Sequence, residues 1–196
     1  MSDVKKILVD IHTHHPRADV ISPEMAGTHP WDAERGSDLP DFDHCDIIGE
    51  TGLDFACEVD RVAQERLFRV HLEAAERLQK PVVLHTVKAF EPTIKILADY
   101  NLHGVVFHGF VGSGQQADEA LRRGYYLSFG LRSLRSPKTR QAIVATPLDR
   151  LFVETDDDPS LDIANVYAEV AAIKGVMLAE LERYIYENHK RLFRLR

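Results

Sequence analysis

The sequence predicts an α/β fold, most simply a TIM-like (β/α) barrel in shortened form with seven parallel strands. Three observations predict it. Short runs rich in β-branched residues alternate with longer amphipathic stretches. The short runs are continuously apolar, as in parallel strands covered on both faces. Several of them end in a histidine or an acid, the residue types that gather on one rim of such a barrel.

Taken in order, residues 6–12 form the first expected strand and residues 20–27 the second. Only residues 13–19, with Pro16 among them, lie between. A parallel crossover needs about a dozen residues, usually a helix. The link can return only as an extended strap, hence seven strands rather than eight. Further strands are expected at 46–50, 81–85, 104–108, 125–130 and 151–156. Between residues 59 and 79, Ala63, Leu67, Val70, Ala74 and Leu78 share one helical face, and Pro81 ends the pattern. Shorter helices are expected at 90–100, 115–123 and 136–145, with Gly124 as a stop signal for the middle one. Two more, at 163–173 and 178–192, close the chain. No linker, low-complexity tract or internal repeat interrupts the alternation, so residues 1–196 read as one domain.

The formal charge of −7 gives no general attraction for polyanions. It argues against tight sequence-specific DNA binding but not against an enzyme that grips a phosphodiester briefly. Cys45 and Cys57 make no disulfide framework. No apolar run approaches the ~20 residues of a membrane span, and the first residues show no signal-peptide core. The expectation is a reduced, cytoplasmic protein without a membrane partner.

The strand ends carry the chemistry. In order they present His12 and His14, then Glu50, His85, His108 and Asp156. His12 and His14 are two apart on an extended chain, so both rings point one way, with Asp10 one pleat deeper. Asp156 ends the last strand, beside the first in a closed barrel. A lone strand histidine is usually a hydrogen-bonded core residue. Six such residues at successive strand ends are better explained by metal. Four imidazoles and two carboxylates exceed one tetrahedral zinc and suit two cations about 3.5–4 Å apart. Imidazoles hold Zn, Mn or Fe, carboxylates supply negative charge, and water of lowered pKa serves as nucleophile.

These segments resemble the TatD family of metal-dependent, deoxyribonuclease-like hydrolases within the amidohydrolase-type barrels. Asp10-Ile11-His12-Thr13-His14 resembles its D-x-H-x-H opening, and Gly27-Thr28-His29-Pro30 its G-x-H-P segment. Ile48-Gly49-Glu50-Thr51-Gly52-Leu53-Asp54 resembles its I-G-E-x-G-L-D signature, the most specific piece. Gln64 to Phe68, the run from Pro81 to His85, the run from His108 to Ser113, Glu154-Thr155-Asp156 and the run from Asn188 to Phe193 resemble its later motifs. The resemblance implies that His12, His14 and Asp156 hold one cation, that Glu50 bridges, and that His85 and His108 complete a second site. It also implies that Asp156 orients or deprotonates the attacking water and that Mg is usable beside Zn or Mn. His29 is a candidate substrate contact, Asp54 either supports the site or is a loop residue, and Arg132 and Arg135 read as a solvated pair. His15, His44, His71, His103 and His189 read as non-ligands.

Two departures stand out. Where the family carries an arginine two residues past the histidine at 85, this chain has Val87, followed by Lys88. Lysine offers a substrate phosphate a point charge but no bidentate fork. The second departure is the stretch missing between His14 and Val20. The wall beside the first strand is then either closed with seven strands or left open, and an open edge invites covering by a partner chain such as a second copy. The expected function is metal-dependent phosphodiester hydrolysis of nucleic acid. Alternatives are hydrolysis of a small ester, lactone or amide, and a non-enzymatic metal-binding module.

Overall fold

The computed structural model describes residues 7–35 and 39–195. Six parallel strands form one sheet in sequence order: β1 (Met25–Ala26), β2 (Ile47–Asp54), β3 (Val82–Val87), β4 (Val105–Phe107), β5 (Tyr126–Phe129) and β6 (Leu151–Val153). Helices follow the strands: α1 (Arg61–Leu78), α2 (Phe90–Leu97), α3 (Gly114–Arg122), α4 (Leu131–Arg135), α5 (Pro137–Ala145), α6 (Ile163–Lys174) and α7 (Leu178–Leu192). The α/β expectation holds, and the expected helices recur with small changes of boundary. The short α4 was not anticipated; its five residues are too few to show a period. None of the described helices is long and apolar enough to cross a membrane.

The strand count is six, not the seven expected. The first expected strand, whose Lys6 lies outside the described residues, runs extended but joins its neighbours only through single bridges, Val9 to Ile21 and Thr13 to Asp156. Two sequence features cut the ladders short. On one side the chain reaches Pro23, which has no N–H to donate. On the other, Ile11 N donates to the Val153 carbonyl at 3.2 Å. A parallel ladder would next use the Thr155 N–H, but that group donates to the Asp10 carboxylate at 3.1 Å instead. Backbone bonding resumes one residue later, from Asp156 N to His12 O at 3.1 Å and from His14 N to Asp156 O at 2.9 Å. The second expected strand shrinks to β1 for the same reason.

Helix side chains such as Phe68 and Leu72 of α1, Leu97 of α2, and Leu181 and Ile185 of α7 are buried against the strands. Two polar side chains tie helices to weakly paired backbone. The Tyr167 hydroxyl of α6 accepts from Val9 N at 3.1 Å and donates to Val9 O at 3.0 Å. The Asn188 amide of α7 donates to Leu148 O and Leu151 O at the entrance to β6. Each satisfies buried backbone groups that would otherwise lack partners.

Candidate metal centre

Glu50 is placed by an irregularity in β2. Ile48 lies opposite Val82, but Thr51 lies opposite Leu84, so β2 carries one residue more than β3 across this interval. Such a bulge re-aims a side chain. Gly52, at φ 140°, lies so close to β3 that a Cβ there would collide with the His85 carbonyl oxygen. The glycine of the I-G-E-x-G-L-D pattern thus lets β2 press against the strand that carries His85.

Five imidazoles surround the Glu50 carboxylate. Its Oε1 lies 2.5 Å from His85 Nδ1, 2.7 Å from His108 Nε2 and 3.4 Å from His29 Nε2. Its Oε2 lies 3.3 Å from His12 Nε2 and 3.7 Å from His14 Nε2. Asp156 Oδ1 approaches the same two rings, at 3.4 Å and 3.9 Å. His12, His14 and Asp156 therefore form one donor group, and His29, Glu50 and His85 another. His108 stands between them, grouping with His12 and Glu50 and also with Glu154 and Asp156. The fold thus brings together all six residues expected as ligands, and His29 joins them. Lys88 does not join; it is exposed just past β3 in a left-handed conformation, φ 51°.

Neighbouring groups hold the rings. Asp54 Oδ2 accepts from Trp31 Nε1 at 2.8 Å and lies 3.3 Å from His85 Nε2, so that ring presents Nδ1 to Glu50. Gln64 fixes Asp54 in turn, accepting from its N–H at 2.7 Å and donating to its carbonyl at 3.0 Å. Buried Glu154 faces His108 Nδ1 at 3.3 Å and accepts from Gly109 N at 2.6 Å. Trp31 and Glu154 were given no role from sequence. Glu154 had a signal, since it stands two residues before Asp156 and shares its side of an extended chain. Trp31 had none. The other histidines stay apart from the cluster; His71 accepts from Thr28 N at 2.9 Å, and His15 pairs with Asp157 at the surface.

The electrostatics are those of a cation site. Burial pushes the Glu50 carboxyl up, but the charge of His108 and the close approach of the His108, His12 and His14 rings hold it far below the usual carboxylate range. Burial opposes protonation of His108, yet Glu50 and Glu154 raise it well above an ordinary imidazole. Asp156 is held low against its burial, chiefly by His12 and His108. Asp10 is pushed up to about 6 by burial, against two hydrogen bonds from Thr155. A divalent cation among these imidazoles would neutralise the carboxylates, displacing any protons the rings carry. One atom fits that exchange directly. His12 Nε2 is buried and makes no hydrogen bond of acceptable geometry, although two carboxylate oxygens lie nearby. Imidazole nitrogens and carboxylate oxygens match Zn, Mn or Fe, so the residues present fit the group.

Parallel strands ringed by helices, with such a cluster at the strand ends, define the class of metal-dependent barrel hydrolases. The family described as TatD related DNase matches residues 19–194, and the chain belongs to it. The metal-dependent hydrolase YcfH of Escherichia coli K12 is 32% identical over 184 residues, covering 85% of this chain and 69% of that protein. YabD of Bacillus subtilis, another metal-dependent hydrolase, is 30% identical over 76% of this chain and 65% of its own length. Human deoxyribonuclease TATDN3 is 29% identical over 74% of this chain and 59% of its own length. The chain therefore spans about two thirds or less of these relatives. Among solved structures, the TatD homologue YjjV of E. coli superposes with a TM-score of 0.79 at 23% identity, covering 97% of this chain and 87% of that one. A TatD family hydrolase of Entamoeba histolytica gives 0.78 at 18% identity, over 90% and 75%. These neighbours are TIM barrels.

Proposed function

We propose that this protein hydrolyses phosphodiester bonds of nucleic acid, using two divalent cations held by the cluster around Glu50. The carrying observation is that one largely enclosed carboxylate has five imidazoles within 3.7 Å, two of which also face a second carboxylate. His12, His14 and Asp156 would hold one ion and His85 and His108 the other, with Glu50 between them. Bound there, divalent cations neutralise the carboxylates, polarise a phosphoryl group and acidify water. Asp156 is ionised at neutral pH and partly open to solvent, so its carboxylate can orient an attacking water and accept its proton. His29 is more exposed than His85 and His108, which suits contact with substrate at the open side.

The relative named as a deoxyribonuclease supports nucleic acid as the substrate class. The test is cleavage of a labelled DNA oligonucleotide by protein reconstituted with Mg or Mn, alongside metal analysis of the same sample. Glu50→Gln is expected to lower both metal content and cleavage, the latter by at least about 100-fold. Metal-loaded protein that leaves phosphodiesters intact but turns over an ester, lactone or amide would overturn the reading.

A further inference from the structure

One aromatic side chain beside the candidate centre offers no ligand atom of its own. Trp31, the sole tryptophan of the chain, is 55% exposed. A large apolar ring left in water beside a polar cluster is an informative exposure. The ring is also fixed. Its Nε1 donates to Asp54 at 2.8 Å, and its backbone N–H donates to His29 Nδ1 at 3.2 Å. The indole meets the His29 ring edge-on, with centroids 4.6 Å apart at 78°, and lies 6.1 Å from the His85 ring. Just past Asp54, Phe55 carries the exposed Arg61 guanidinium 4.4 Å above its ring. A fixed aromatic face and a cation flanking the cluster match the two chemical faces of a nucleotide, base and phosphate.

We propose that Trp31 is a stacking platform for an unpaired nucleobase next to the scissile phosphodiester. The inference rests on the phosphodiesterase reading above. Bases stack on aromatic side chains without regard to sequence, and an immobilised ring loses little freedom when they do. A base inside an intact duplex has both faces covered and cannot use the platform. Arg61 would meet a phosphate further along the strand.

Because Trp31 is the only indole, its fluorescence reports the contact without turnover. Titration of the full-length protein with a short single-stranded DNA should quench it, and the same strand with an abasic residue beside the mapped cleavage position should quench less. In cleavage assays, Trp31→Ala should raise KM about tenfold or more on the intact strand. Trp31→Phe, which keeps a ring and loses the bond to Asp54, should stay within about threefold. On the abasic strand, Trp31→Ala should add less than about twofold to the loss caused by the missing base. Equal losses for Phe and Ala, or the same loss on intact and abasic strands, would overturn stacking and make Trp31 a positioning residue for Asp54. Normal cleavage by all variants would remove the platform and leave the phosphodiesterase reading standing. Failure of the native, metal-loaded protein to cut any phosphodiester would remove both.

Discussion

Glu50 and His85 stand on paired strands, whereas His12 and His14 stand on a segment that pairs almost nowhere. β2 and β3 are matched at five residue pairs, and their facing side chains are fixed by Asp54 and Gln64. Residues 8–14 have one bridge on each side, and side chains supply the rest. Asp10 takes the N–H and hydroxyl of Thr155, and Tyr167 takes both backbone groups of Val9. The contrast teaches that one centre can be half template and half clasp. The template half fixes the positions of Glu50 and His85. The clasp half, with fewer backbone bonds to break, is the side expected to open first.

Three substitutions probe the difference. The largest effect is expected on the template side: Asp54→Asn frees the His85 ring and should cost about 10–100-fold in metal affinity, read by metal titration. Unchanged affinity would mean that strand pairing alone orients His85. On the clasp side, Tyr167→Phe strands the buried N–H and C=O of Val9 and should destabilise the fold by about 1–3 kcal/mol in chemical denaturation. Hydrogen exchange should then quicken around residues 8–21 before it does in β2 or β3. A uniform increase would erase the distinction between the halves. The smallest effect concerns His71 of α1, which braces Thr28, the residue before His29, through Nε2 and faces the Leu67 carbonyl through Nδ1. Burial depresses its pKa below the ordinary 6.5. An unfolded chain would bind that proton first, so the stability His71 confers is intact above pH 6.5 and declines as pH falls below it. The slope cannot exceed about 1.4 kcal/mol per pH unit for one proton. His71→Gln should flatten the denaturation profile in that window; an unaltered profile would assign the slope elsewhere.

The same contrast explains what could be read in the sequence. The template half was legible: apolar residues open β2 and β3, and Glu50 and His85 fall in signatures with fixed glycine and proline spacing. His12 and His14 were legible as a pair because extended chain repeats every two residues. Their strand was not, because the bonds that replace its ladder come from Asp10 and from Tyr167, the latter 158 residues from Val9. His29 meets His85 across 56 residues and Trp31 meets Asp54 across 23, contacts that no local period announces. Lys88, expected as a point charge for a substrate phosphate, is exposed in the left-handed turn after β3 and stands apart from the cluster.

The clasp between Asp10 and Thr155 joins residues 145 apart. During synthesis His12 and His14 leave the ribosome long before Asp156 does. A growing chain thus carries exposed imidazoles without the carboxylate that shares them. Contacts of such long range form late in folding. The group formed by His12, His14 and Asp156 is therefore complete only once residue 156 has been made and has folded back against the segment that carries Asp10.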